Sequence, residues 1–288
     1  MNPILQFFQN VVTLRGTYDW NTVFTFLFYP DILQGIIITV LLAVLAQLIG
    51  TLIGLLLYFT RRSSNGVLRG IGELYVWFFR GTPLLVQILF LNAFLPYLGL
   101  ARPLIQTHFF RNLGFQQDIP LDAFIAGLAA LSLNEGAYMA EIVRAGIDSI
   151  DLGQLEAAKS LGMTYWLGMR RIILPQALRV IIPPLGNEFN SMLKNTSLVS
   201  AISVAELLEA AQAHAFSQFR PLELLTVASI WYLVLTTIWT LIQRQLERRI
   251  NVSNLDPALT SGGSWWKRMI GFGGRETGVP LPAGADHH

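Results

Sequence analysis

The sequence contains no cysteine at all. Disulfides, thiolate metal sites and cysteine nucleophiles are therefore excluded outright. Charge is scarce as well: Asp, Glu, Lys and Arg make up 13% of the 288 residues, about half of the roughly 25% usual in soluble domains. Histidine occurs four times, and His287 and His288 stand at the extreme terminus. His108 and His214 are isolated in polar stretches, where a solvated loop histidine is the expectation. No Gly-x-x-x-x-Gly-Lys-[Ser/Thr] occurs, so the chain has no P-loop to cradle ATP phosphates. There is no His-x-x-x-His pair for a metal and no clustered nucleophile and base for an enzyme. The net charge of +2, not gathered in one patch, gives no argument for nucleic acid. No basic region precedes an apolar core at the start, so no cleaved signal peptide is read.

What is abundant is apolar, 53% of the chain, and the class it implies is an all-α membrane protein. Residues 1–30 are mixed, with Tyr18, Trp20, Phe24, Phe26, Phe28 and Tyr29 among Arg15, Asp19 and Asp31 nearby. They suit an extracytoplasmic segment lying at headgroup level. From Ile32 to Phe59 no charge appears, longer than the ~20 residues a crossing needs. Gly50-x-x-x-Gly54 in this first span offers a close-packing face for another helix. A second span covers about Leu84 to Leu100, after an amphipathic approach in which Gly81-Thr82-Pro83 breaks the helix and leaves Arg80 at the interface. The third covers roughly Ala123 to Val143, with Glu141 and Arg144 spaced to pair. A fourth is expected to begin after Pro183-Pro184 and reach Val204, followed by a polar loop over Glu206 to Arg220. The fifth runs from Leu222 to Ile242. Five spans thus define a permease domain over 31–250, and the Gly-, Ser- and Pro-rich residues 251–288 read as a disordered cytoplasmic tail.

Odd-numbered spans put the termini on opposite sides. Fourteen of the twenty basic residues then fall on one side, four on the other, with Arg80 and Lys194 at the edge or within the membrane. The positive-inside rule places the amino terminus outside and the carboxyl terminus in the cytoplasm.

One polar island stands between spans three and four on the cytoplasmic side. It reads Gln154-Leu155-Glu156-Ala157-Ala158-Lys159-Ser160-Leu161-Gly162, then nine residues, then Ile172-Ile173-Leu174-Pro175. Its logic is short helix, bend, short helix. Gly162 supplies a left-handed terminating residue, and Pro175 forces a turn or kink in a helix arriving from Trp166.

This spacing resembles the EAA signature of membrane subunits of bacterial ABC importers, Glu-Ala-Ala, three residues, Gly, nine residues, Ile-x-Leu-Pro. Glu156, Ala157, Ala158, Gly162, Ile172, Leu174 and Pro175 fit it without a gap. Further stretches are similar to the polar amino-acid uptake branch, the histidine- and glutamine-permease-like group. They are Tyr18-Asp19-Trp20, Arg80 to Gln87, Gly136 to Ile147, Pro175 to Arg179, Pro183 to Asn187 and Leu193 to Leu198. Ala145 and Asn195 depart mildly from the family's frequent Gly and Asp. The resemblance implies a type I importer fold and a multi-pass protein of the bacterial inner membrane. It implies a permease that moves a polar amino acid by alternating access and binds no cofactor, ATP being hydrolysed by separate subunits. Its partners would be a cytoplasmic ABC ATPase dimer, a second permease subunit, identical or related, and an extracytoplasmic solute-binding protein.

Under that resemblance the coupling-helix loop at about 150–178 takes the stroke of the ATPases through Glu156, Ala157, Ala158, Leu161, Gly162, Met163, Arg170 and Arg171. Tyr165 joins Leu161 and Met163 as an apolar anchor in a partner's groove. Ionisable groups within spans are costly and usually face a cavity or a partner. Glu135 and Glu188 are therefore candidates for the substrate's amino group or cationic side chain. Lys194, with Asn187, Asn190, Asn195 and Ser197, is the candidate for its carboxylate or for lining the path. Lys194 bonding carbonyls of a helix broken at Pro183-Pro184 is the structural alternative. Another small zwitterion or amine, such as an opine or a quaternary ammonium compound, is the neighbouring substrate class. A secondary transporter would bring its own coupling groups, often on inverted repeats, and none is visible in five spans.

Overall fold

Polar caps and prolines mark where this chain enters its helices. Asp19 accepts from the backbone N–H of Asn21 at 2.9 Å and Asn65 from that of Val67 at 2.9 Å; Pro30 opens the longest helix, where a missing N–H costs nothing. The computed structural model describes residues 18–98, 109–112, 114–115 and 119–249. The expectations for His108, for the residues before Tyr18 and for the tail from 251 lie outside the described residues.

The helices are α1 (Trp20–Leu27), α2 (Pro30–Arg61), α3 (Gly66–Gly81) and α4 (Leu84–Phe94), which tightens into a 3-10 turn at Leu95–Leu98. Then come α5 (Phe109–Asn112), α6 (Leu121–Asp148), α7 (Leu152–Ser160) and α8 (Tyr165–Gly168). A π turn at Met169–Ile173 leads into α9 (Leu174–Asn195), and a 3-10 turn at Thr196–Ile202 precedes α10 (Leu207–Gln218) and α11 (Pro221–Arg249). Among the described residues all regular structure is helical.

The centre of the bundle is α2 against α6. A Cβ on Gly50 would stand 2.6 Å from Cβ of Glu135, and one on Gly54 would run into Met139 and Ala140. Gly136 faces back into Ile53. The close-packing face expected from Gly50-x-x-x-Gly54 is thus real, because only small residues let two backbones approach this far. Around it pack Ile38, Leu42, Ala43 and Ala46 of α2, Ala126, Ala130 and Leu131 of α6, and Met192 and Val199 beyond them.

Two helices are long and apolar enough to cross a membrane by themselves, Pro30–Arg61 and Pro221–Arg248. Gly66–Gly81 and Leu84–Tyr97 meet the same measure only as a pair, bent by 108° at the break between them. The other two, α6 and α9, have 28 and 22 residues but carry Glu135, Asn134, Glu188 and Lys194. Their polarity has a physical reason. Helices ringed by protein need not be greasy on every face, and α6 is flanked by α2, α3, α4 and α9.

The bend falls at Gly81-Thr82-Pro83, as its residues imply. Proline has no N–H, so the carbonyl of Phe79 loses its helical partner. Gln87 Nε2 supplies one hydrogen bond to it at 3.0 Å and Asn134 Nδ2 another at 2.9 Å. Gln87 also reaches the Thr82 carbonyl at 3.1 Å, and Asn134 donates to Gln87 Oε1 at 3.1 Å.

Three expectations are corrected. The pair Pro183-Pro184 does not start a span: both lie inside α9, which continues to Asn195. Neighbouring α11 packs beside that stretch, with Trp239 Nε1 donating to the Gly186 carbonyl at 2.7 Å and Gln243 Nε2 to that of Pro183 at 3.3 Å. The break comes later, at Thr196–Ile202, where Thr196 and Ser197 hydroxyls turn back onto the carbonyls of Leu193 and Lys194. The segment from Glu206 to Arg220 is helix α10 rather than a loop, with Leu207, Ala210, Ala211 and Ala215 buried. His214 on that helix is not a solvated loop residue: its Nε2 lies 2.9 Å from Asp31 Oδ2, with Phe26 and Tyr29 rings against it.

Candidate functional site

Glu135 sits near the middle of α6 and Gln47 near the middle of α2, so both lie at the centre of the membrane-crossing length. Gln47 Nε2 donates to Glu135 Oε1 at 3.0 Å. Both side chains are buried. Glu188 is half-buried on α9, which packs against α6. Two packed helices, α6 and α9, thus each carry a carboxylate inside the bundle, where hydrocarbon would make each very costly unless water or a cation joins it. Two buried amide oxygens, Gln47 Oε1 and Asn190 Oδ1, accept no hydrogen bond from a described residue.

The remaining candidates divide. Asn187 is exposed and accepts from Gln243 at 3.2 Å. Lys194 is exposed too, and with Ser197 it lines a groove against Ser229, Tyr232, Leu233 and Thr236 of α11. Asn195 ends α9 where the 3-10 turn begins. From Glu188 to Lys194 is six residues, about a third of a turn out of register. The turn of α9 therefore puts Lys194 on a different face from Glu188.

Sequence reasoning passed over Glu206. It is fully buried, caps α10 through the Glu209 N–H at 2.9 Å, and accepts from Tyr232 Oη at 2.6 Å and Thr39 Oγ1 at 3.3 Å. The available signal was an acid immediately before Leu207-Leu208, a helix-start pattern.

At the other end of α6, Glu141 pairs with Arg144 as its spacing implies, Nη2 to Oε2 being 2.8 Å. Arg61 at the end of α2 reaches the same carboxylate at 2.6 Å, and Arg80 stands 4.0 Å away. Asp148 takes Arg62 and Arg144, each at 3.3 Å. The network ties the ends of α2, α3 and α6 just before the polar island begins.

That island is a helical hairpin. Gly162 has φ +77°, and its N–H and that of Met163 return to the carbonyls of Lys159 at 2.9 Å and Ala158 at 3.0 Å. This is the Schellman arrangement that stops α7. Thr164 caps α8, and the π turn at Met169–Ile173 absorbs the kink before Pro175 in the first turn of α9. Ala158 is turned inward, its Cβ 3.3 Å from where a Cβ of Gly168 would lie. Its smallness closes the hairpin on itself. Glu156, Ala157, Leu161, Gly162, Arg170 and Arg171 face outward, with Met163 half-buried. Leu161 is 81% exposed and Trp166 70%. Glu156, Arg170 and Arg171 form no ion pair with another described residue.

The fold is thus a helical bundle with a buried acid near its centre, an ion network at one end and an exposed apolar hairpin beside it. Residues 48–252 match the family described as binding-protein-dependent transport system inner membrane component, and the chain belongs to that family. It is 44% identical over 236 residues to the arginine transport system permease protein ArgU of Corynebacterium glutamicum, covering 80% of this chain and 72% of that one. It is 34% identical over 235 residues to the glutamine transport system permease protein GlnP of Escherichia coli, covering 82% and 99%. A crystal structure of an amino acid ABC transporter with histidines matches with a TM-score of 0.66 and 38% identity, covering 81% of this chain and 99% of that one.

Proposed function

We propose that this chain carries a polar amino acid across the inner membrane and that its path passes Glu135 and Glu188. The observation that carries the reading is the pair of acids within the bundle, Glu135 buried on α6 and Glu188 half-buried on α9, which packs against α6; the ammonium group or cationic side chain of a substrate would offset the cost of burying them. Relatives named for arginine and for glutamine transport support that substrate class. Asn187, Asn190, Lys194, Asn195 and Ser197 line the approaches on α9 and the turn after it. The amino terminus stands outside, as the distribution of Arg and Lys argues.

The energy enters from below. ATP is hydrolysed by cytoplasmic ATPase subunits that grip the hairpin of α7 and α8, with Leu161, Tyr165 and Trp166 as apolar anchors and Glu156, Arg170 and Arg171 setting register. A second permease subunit and an extracytoplasmic solute-binding protein complete the importer. The permease domain is residues 31–250, and nothing in the transport cycle is assigned to the tail.

The test is uptake of radiolabelled arginine and glutamine into proteoliposomes holding the permease, its ATPase and its binding protein. Uptake that needs ATP, and changes in rate or preference with Glu135→Gln or Glu188→Gln, is the expected result. Uptake by the permease alone on an ion gradient, or wild-type preference in both variants, overturns the reading.

A further inference from the structure

Among the described residues Gln47 alone donates a hydrogen bond to Glu135, from Nε2 to Oε1 at 3.0 Å. The same nitrogen lies 3.5 Å from Met139 Sδ, one turn further along α6. Nε2 thus has two acceptors, both on the helix that carries the acid. The amide oxygen of Gln47 accepts nothing from a described residue, although the side chain is buried at 6% exposure. A sealed carbonyl without a donor is unfavourable, and an apolar side chain of the same length would fill this part of the seam without it. What the amide supplies in return is its hold on Glu135. That hold has a second part on the same turn of α2. Gly50 leaves the slot for the stem of the acid, since a Cβ there would stand 2.6 Å from both Cβ and Cγ of Glu135. With its stem in the slot and Oε1 fixed, the carboxylate has one orientation. Its Oε2 accepts no hydrogen bond from a described residue and, unlike Gln47 Oε1, is not sealed from solvent.

We propose that Gln47 is a positioning residue of the path: it acts through Glu135, fixing one carboxylate oxygen so that the other is presented to the positively charged group of the solute. The proposal rests on the reading of Glu135 as a path residue. Gln47 itself makes no contact with the solute in this arrangement. Without the amide the carboxylate is free to turn about its last bond, and a cation loses the aimed oxygen while the acid itself remains.

The experiment is equilibrium binding of radiolabelled arginine to the permease–ATPase complex in lipid nanodiscs, with Kd and the number of sites fitted separately. Gln47→Met keeps the length of the side chain and removes the amide. It should weaken arginine binding by about tenfold, the scale of one hydrogen bond to a charged group, with the number of sites unchanged. A purely structural bond predicts the reverse: fewer sites, a lower thermal midpoint and the wild-type Kd in the complexes that remain. That result overturns the proposal. Gln47→Leu repeats the measurement if the methionine variant does not assemble, and failure of both makes Gln47 structural. The double variant tests whether Gln47 acts through the acid. In Glu135→Gln, which by itself should weaken arginine, adding Gln47→Met should change binding by no more than about twofold. A further loss of about tenfold would give Gln47 an effect of its own and overturn the proposal. Glu135→Gln alone separates the two levels. If it weakens arginine binding while Gln47→Met moves nothing, Gln47 alone falls. If Glu135→Gln leaves arginine binding as it was, or arginine binds no form of the complex, the path reading falls and the proposal with it.

Discussion

Asn134 on α6 gives its side-chain N–H to the carbonyl of Phe79 on α3 at 2.9 Å, the carbonyl that Pro83 deprives of a helical partner. The donor sits one residue before Glu135, so a single turn of α6 holds the elbow on one flank and the central acid on the other. Gln87 Nε2 shares the same carbonyl at 3.0 Å. Asn134→Ala should lower the unfolding midpoint of the purified complex by an amount equivalent to about 1–3 kcal/mol, the cost of leaving a buried polar group short of a bond. Gln87→Ala should cost a similar amount, and the pair together less than the sum, since one carbonyl is common to both. Additive losses in a double-mutant cycle would mean that the two amides act separately.

The α2–α6 seam makes a sharper prediction. Alanine at Gly50 would put a Cβ 2.6 Å from Glu135 Cβ and Cγ, whereas alanine at Gly70 meets nothing within 4 Å. Gly50→Ala should therefore destabilise by about 1–3 kcal/mol through overpacking, and should depress uptake further by displacing Glu135. Gly70→Ala, on an exposed helical position, should be neutral or slightly stabilising. Melting curves and transport assays on the two variants side by side test this directly.

These two helices also show how much was legible beforehand. Gly50 and Gly54, the break at Gly81-Thr82-Pro83 and the stop at Gly162 were readable because each depends on backbone chemistry within a few residues. The pair Pro183-Pro184 misled for the same reason: a local rule says break, but both prolines lie inside α9, which continues to Asn195. Polarity misled over Glu206 to Arg220, although Leu207, Ala210, Ala211 and Ala215 recur at helical spacing and are all buried. The contact of His214 with Asp31 spans 183 positions of sequence, and no periodicity announces it.

Glu206 offers a test of a buried acid that holds structure. It accepts from Tyr232, Thr39 and the Glu209 N–H with no ion pair to a described residue. Glu206→Gln swaps an accepting oxygen for a donor that faces hydroxyls and backbone N–H groups. We expect a loss of about 1–3 kcal/mol, against about 1 kcal/mol for Tyr232→Phe, which removes a single bond. Thermal unfolding of both variants in the same detergent gives the comparison.

Outside the membrane, Asp19 ties α1 to α11. The hydroxyl of Thr22 at 2.8 Å, then the Asn21 N–H and the charge of Arg220, hold its carboxyl below the usual aspartate range. A depressed pKa means the contribution is present above the unfolded value of about 3.9 and is lost as pH falls through the folded one. A spin label at Asn21 should accordingly gain mobility on acidification from about pH 6 to below pH 4. In Asp19→Asn it should be mobile across that range. A label equally rigid throughout in both proteins would detach α1 from this explanation.

The hairpin separates folding from docking most cleanly, because its small and large apolar residues face opposite ways. Ala158 is buried at 1% exposure against Gly168, while Leu161 and Trp166 stand out at 81% and 70%. Ala158→Leu has no room to enter and should spread α7 from α8, raising the protease sensitivity of the hairpin even in the permease alone. Leu161→Ala and Trp166→Ala remove surface that touches nothing essential within the chain, so the permease alone should melt as the wild type does. If the hairpin is the socket for a soluble motor, each of those two should weaken binding of the ATPase subunits by tenfold or more, the scale of an interface hot spot. Uptake should fall with it. Wild-type affinity in Trp166→Ala and Leu161→Ala together would move the docking surface elsewhere on the permease.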